Sequence, residues 1–118
     1  NADHMAAACA EYLRADQLVY LTDVDGVLES GRTLSAVACD EIERLVQTKV
    51  VSGGMVLKLE AARRALEGGV GGVHIVGGTV PGGLLAAVET GSLSGAIPGT
   101  RVLLEPLTAG MPQAMSAA

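Results

Sequence analysis

Leu18-Val19-Tyr20-Leu21-Thr22-Asp23-Val24-Asp25-Gly26-Val27-Leu28 changes character twice within a short span. The apolar run Leu18–Leu21 has the length and continuity of a buried strand, and the polar, Gly26-containing segment after it is a turn. Upstream, residues 4–14 are rich in Ala, Leu and Met and predict a helix, with Asp3 placed to cap it. Downstream, Val27–Leu34 predicts a small hairpin turning at Ser30-Gly31. A second helix is expected over 38–48, where Ala38, Ile42, Leu45 and Val46 form one stripe. Val50-Val51 reads as a strand-like link broken by Ser52-Gly53-Gly54. Met55, Leu59, Ala62 and Leu66 mark a third helix closed by Gly68-Gly69. Val73–Val76 is a second buried strand, Pro81 suits the first position of a fourth helix ending at Gly91, and Arg101–Leu104 is a last strand. Strands alternating with helices predict an α/β fold, a largely parallel sheet with helices on both faces. Residues 1–105 form the expected domain and 106–118 a loosely ordered tail. Ligands of such sheets bind beyond the carboxyl ends of the strands, which points to Thr22–Gly26 and Ser52–Lys58 together.

Composition narrows the classes. The 118 residues fit one domain, and 49 % hydrophobic against 18 % charged residues is too apolar for a disordered chain. With two Tyr, no Phe and no Trp, the core must come from Val, Leu, Ile, Ala and Met. A net charge of −5 and a pI near 4.8 exclude a general nucleic-acid backbone binder. No apolar run reaches the roughly 20 residues of a membrane span, and no stretch reads as a secretory signal. Cys9 and Cys39, without metal or redox spacing, are expected to be packing residues in a reducing, cytoplasmic compartment. The chain starts Asn1-Ala2-Asp3 without Met, which suggests a missing upstream segment or a cloning scar ahead of Met5.

Candidate chemistry concentrates in two places. Gly53-Gly54 opening a helix leaves backbone N–H groups free in the positive field of the helix dipole. Lys58, expected in the first turn, is unfavourable there unless an anion such as phosphate shares the site; otherwise it is a surface lysine with a snorkelling stem. Leu21–Leu28 also looks like the D-x-D-G-[TV]-L signature of haloacid-dehalogenase phosphatases, with Asp23 as nucleophile and Asp25 as acid/base. That chemistry needs further acidic residues to hold Mg²⁺. After Asp40 there are only Glu41, Glu43, Glu60, Glu67, Glu89 and Glu105, with no acidic pair at a strand end. No P-loop, dinucleotide fingerprint, catalytic triad or zinc spacing occurs. His74, on an apolar strand, reads as a core or rim residue, and no metal ligand is assigned.

A series of spaced motifs resembles the amino acid kinase family, and its acetylglutamate kinase branch in particular. Asn1-Ala2-Asp3 resembles the family's N-A-D-x-x-A segment, Leu21–Val27 its L-T-D-V-x-G-V strand-turn, and Gly53-Gly54-Met55-x-x-Lys58 its G-G-M-x-x-K helix start. Gly69-Val70, Val73–Val76 and Gly99-Thr100 follow in family order, so the likeness runs from about residue 1 to 104. It implies a three-layer sandwich and, for this chain, the carboxy-terminal, ATP-binding half of a kinase domain. It also implies that Lys58 neutralises the transferring phosphoryl group and that Asp3 organises catalytic lysines. Thr22, Asp23, Val24, Asp25, Gly26, Val27, Leu28, Val50, Val51, Ser52, Gly54 and Met55 would line the nucleotide, and Asn1 would touch the acceptor substrate. Burial alone would also account for Val50 and Val51.

Asp25 stands where the family frequently has Pro and Ala38 where it often has a capping Thr, which suggests a frayed helix start. Ser92–Pro98 looks longer than usual. The implied reaction is phosphorylation of the side-chain carboxylate of N-acetyl-L-glutamate by ATP with Mg²⁺, in arginine biosynthesis. The implied partners are the amino-terminal half of the domain and further copies in a homo-oligomer. The family's amino-terminal Gly-rich loop, second phosphate-binding lysine and acceptor-binding groups have no counterpart here. Two other readings stay open: a nucleotide-binding or assembly fragment without turnover, and a related kinase acting on carrier-linked aminoadipate or glutamate.

Overall fold

The computed structural model describes residues 1–90 and 99–106. Its elements, in chain order, are α1 (Ala2–Tyr12), β1 (Gln17–Thr22), β2 (Leu28–Glu29), β3 (Arg32–Thr33), β4 (Ala36–Ala38), α2 (Ile42–Gln47), α3 (Gly54–Glu67), β5 (Gly72–Gly77), α4 (Gly83–Thr90) and β6 (Thr100–Leu103). A short 3₁₀ turn, Cys39–Glu41, leads into α2. The main sheet has the order β1-β5-β6-β4. β1 lies parallel to β5 and β4 parallel to β6, while β5 and β6 are antiparallel. The sheet is therefore mixed and mostly parallel, in keeping with the predicted α/β class.

Alternation along β5 explains the layering. Val73 and Ile75 face the main core with Leu59, Ala62 and Tyr20, on the side covered by α1 and α3. Val76 points to the other face, where Gly83 of α4 lies against its side chain. Helices thus cover both faces. α1 and α3 meet through small residues: Ala7 and Ala10 on one helix and Ala61, Ala62 and Ala65 on the other are buried. Alanine lets two helices approach closely without an entropy cost for ordering side chains.

Several local expectations shift. The cap of α1 is not Asp3 but Asn1, whose side-chain oxygen accepts the His4 N–H at 3.0 Å. The helix expected over 38–48 begins at Ile42, because Ala36–Ala38 is drawn into the sheet beside Arg101–Leu103. Helical spacing in a short apolar stretch loses here to a non-local strand pairing that buries Val37 completely. Ala38 does not fray, since its N–H donates to Glu41 Oε1 at 3.1 Å. Val50 and Val51 form no strand; both N–H groups donate to Leu45 O, at 3.0 and 3.2 Å, and wrap the chain round the end of α2.

The hairpin turns where expected, with Ser30 (φ 53°) and Gly31 (φ 77°) both left-handed, as a two-residue turn matched to strand twist requires. α4 starts at Gly83, two residues after Pro81, and Gly91 lies outside the described residues. The last strand runs one residue earlier than expected, Thr100–Leu103. The longer run at Ser92–Pro98 and the tail from 107 to 118 also lie outside the described residues.

Candidate functional site

The chain leaves β1 at Thr22, and its next residues meet the start of α3 beyond the carboxyl ends of β1 and β5. Val24, Gly26 and Leu28 on one side and Val50, Val51, Ser52 and Met55 on the other enclose a hollow of about 140 Å³. All seven are among the residues singled out from the sequence, and they come from two segments more than 20 residues apart. The lining is mainly aliphatic. The volume lies below the roughly 300–1,000 Å³ of a complete ligand site, so the hollow has room for one ring-sized part of a larger molecule.

Of the other residues in the set, Val27 is fully buried and packs into the core instead of facing the hollow. Asp23 and Asp25 are exposed, and Thr22 Oγ1 donates to Asp23 Oδ1 at 3.4 Å. Gly54 is the first residue of α3, preceded by Gly53 with φ 56° and ψ −130°, backbone angles that a side chain strongly disfavours. No side chain caps this helix, and among the described residues neither the Gly53 nor the Gly54 N–H has an acceptor. Two free donors therefore sit at a helix start beside the hollow.

The loop's position depends on a residue to which the sequence assigns no role. Thr100 Oγ1 accepts the Val27 N–H at 2.9 Å and donates to Leu34 O at 2.6 Å, and the residue is 1 % exposed. One hydroxyl thus ties the loop after β1 and the end of the hairpin to β6. The Gly99-Thr100 motif was visible in the sequence, but nothing local indicates which backbone groups the hydroxyl meets.

Lys58 is the fifth residue of α3, in its second turn and not its first. One turn on from Met55, its Nζ lies 3.5 Å from Asp3 Oδ2, with both side chains about one-fifth exposed. The Asp3 main-chain oxygen accepts the Tyr20 hydroxyl at 2.7 Å. Burial, and secondarily the Asp3 carboxylate, pushes the Tyr20 phenol up to about 12. Because the folded chain holds this proton more tightly than the unfolded one, its contribution to stability is full below pH 10 and lost as pH rises from 10 to about 12. The expected loss across that window is about 2–3 kcal/mol. Urea unfolding between pH 9 and 12 would show the midpoint falling, by more than in a Tyr20→Phe variant, which isolates the share of the phenol.

Three further titratable groups, His74, Cys39 and Cys9, line no part of this hollow. His74 is buried, and burial first and the Arg101 charge second lower its pKa, so the imidazole is held neutral. Cys39 is buried as expected, and burial is the main cause raising its thiol pKa. Cys9 is not a packing residue: it sits on the exposed side of α1. At the opposite ends of the strands, a larger hollow of about 330 Å³ is lined by Leu66, Val70–Gly72 and Arg101–Glu105, and none of the sequence-derived residues reaches it.

Layered helices over a mostly parallel sheet, with a glycine-opened helix facing the loop after the first strand, define an α/β domain of the amino acid kinase fold. The model of the amino acid kinase family matches residues 1–77, and the chain belongs to that family. It is 46 % identical over 94 residues to an acetylglutamate kinase of Desulfitobacterium hafniense, covering 76 % of this chain and 32 % of the relative. It is 50 % identical over 80 residues to an acetylglutamate kinase of Koribacter versatilis, covering 67 % and 31 %. The chain thus spans about a third of the length of the curated relatives it matches.

Among solved structures it resembles N-acetylglutamate synthase from Neisseria gonorrhoeae complexed with coenzyme A and L-arginine. The TM-score is 0.75 at 31 % identity, over 87 % of this chain and 23 % of that one. It also resembles carbamate kinase from Giardia lamblia bound to citric acid, with TM-score 0.60 and 26 % identity over 82 % and 29 %. Among the described residues, no helix is long and apolar enough to cross a membrane.

Proposed function

We propose that the chain supplies the ATP-binding, carboxy-terminal part of a kinase that phosphorylates the side-chain carboxylate of N-acetyl-L-glutamate. The observation that carries this is the convergence of Val24–Leu28 and Val50–Met55 on one aliphatic hollow, one helical turn from Lys58. An adenine ring suits the hollow in size and polarity, and its phosphates would extend toward the free N–H groups of Gly53 and Gly54. Lys58, aimed by Asp3, would meet the terminal phosphate. In the reaction a carboxylate oxygen of the acceptor attacks the γ-phosphorus, the bond to the bridging oxygen breaks, and ADP leaves with that oxygen's electrons. The charge spreading onto the equatorial phosphoryl oxygens and the leaving group is what an ammonium can stabilise. Magnesium would enter with the nucleotide phosphates and neutralise part of the same charge.

The identities of 46–50 % to acetylglutamate kinases support this acceptor over carrier-linked aminoadipate or glutamate. Asn1 would approach the acceptor from the start of α1, beside Asp3. The amino-terminal part of the domain and further copies in an oligomer complete this reading as partners, in a cytoplasmic setting. Since the chain spans about a third of those kinases, it is expected to bind nucleotide without turning over. Calorimetry with ATP, followed by hydroxamate trapping of acyl phosphate from N-acetylglutamate, tests both parts. ATP binding without product is the expected result. Turnover by the chain alone would show that no further part of the site is needed, and absence of ATP binding would leave an assembly role.

A further inference from the structure

We propose that Tyr20 is a positioning residue of this site: its hydroxyl pins the first turn of α1 and so sets where the Asp3 carboxylate meets the Lys58 ammonium. The inference rests on the phosphate-binding reading of Lys58 for its functional meaning, but its geometry stands independently. Lys58 carries its charge on a flexible four-carbon stem, and Asp3 is the one ion-pair partner it has among the described residues. Asp3 itself lies in the first turn of α1, where a helix frays most readily because its N–H groups lack intrahelical acceptors. Two tethers hold that turn. The Asn1 side chain caps the His4 N–H, and the Tyr20 hydroxyl bonds the Asp3 carbonyl.

The second tether is the one anchored outside the helix. Tyr20 is 6 % exposed in β1, and its ring packs in the core cluster. A hydrogen bond of 2.7 Å to the Asp3 carbonyl fixes the backbone from which the Asp3 carboxylate projects. At 3.5 Å the Lys58–Asp3 contact is at the outer reach of a hydrogen bond, so a small displacement of Asp3 breaks it. A leucine or phenylalanine would fill the same core space. Tyrosine alone adds a link from the sheet to the ion pair.

The test uses the whole chain, which contains just two lysines, Lys49 and Lys58. In ¹⁵N spectra of the lysine ammonium groups, the Lys58 signal should depend on Asp3, and Tyr20→Phe should move it toward the position of Lys49 without moving Lys49. Affinity for ATP should fall ~3- to 10-fold while that for adenosine, which has no phosphate, stays the same. A tyrosine with only a packing role would lower the melting temperature and leave the Lys58 signal of the folded chain in place; that result overturns the proposal. Should Tyr20→Phe fail to fold, replacing both tyrosines by 3-fluorotyrosine alters the strength of the hydroxyl as a donor and keeps the ring. An unchanged Lys58 signal then overturns the proposal equally. If the parent chain binds no ATP, the phosphate reading fails, and the ammonium spectra still decide the role of Tyr20.

Discussion

Lys58→Ala is expected to weaken ATP binding by about 10- to 100-fold and to leave adenosine binding unchanged, because a charged donor to a phosphate is worth roughly 1.5–3 kcal/mol. The variant should fold normally. The ion pair it removes is long and still partly exposed, and pairs of that kind contribute about 0–1 kcal/mol. The loss should grow along the series adenosine, AMP, ADP, ATP if the ammonium meets the terminal phosphate. Asp3 adds to it, since without its partner the carboxylate is a nearby negative charge facing another anion. Calorimetric titration of the four ligands reads the pattern directly. An equal loss for adenosine, or no loss for ATP, would remove Lys58 from the phosphate site and return it to a surface lysine held by one aspartate.

Thr100→Val should cost about 2–4 kcal/mol of stability, although it preserves the shape of the side chain. The hydroxyl serves two backbone groups at once, and each buried group left without a partner costs roughly 1–3 kcal/mol. The Leu34 carbonyl is in the less buried of the two bonds and can recover part of its loss from water, which keeps the total below the upper sum. Thr100→Ser keeps the hydroxyl and should lose far less, through one missing methyl group in a buried position. Denaturant unfolding of the two variants compares them. A Thr100→Val chain as stable as the parent would mean that the Val27 N–H and Leu34 carbonyl find other partners. Because Val27 sits inside the loop that carries Val24, Gly26 and Leu28, nucleotide affinity should fall along with stability.

The hollow beside α3 is legible in the sequence, as an apolar run ending in Thr22–Gly26 and a glycine pair opening a helix four residues before a lysine. Glycines, polar turns and apolar runs act locally, so their positions mark loops and strand ends without knowledge of the rest of the chain. Val27 belongs by its place in the family motif with the lining residues, yet its side chain turns into the core. Alternation in an irregular loop does not follow a fixed period, so its inward residues cannot be separated from its outward ones by spacing. The strand Ala36–Ala38 is not legible locally, and helical spacing claims its last residue, Ala38, for a related reason: its partner is Arg101–Leu103, more than 60 residues away, and no local preference reports such a partner.

By itself, the amino-acid sequence determined the α/β class, the order of the major elements, the hairpin at Ser30-Gly31, and the two segments that form the hollow. Each of these follows from local backbone preference or from the periodicity of burial. Tertiary structure alone decided the antiparallel pairing of β5 with β6, the role of Thr100 in holding the loop, and the tether from the Tyr20 hydroxyl to the Asp3 carbonyl. Those depend on polar groups remote in sequence finding one another as the core closes. A buried hydroxyl must be satisfied somewhere, but only the packed chain settles where.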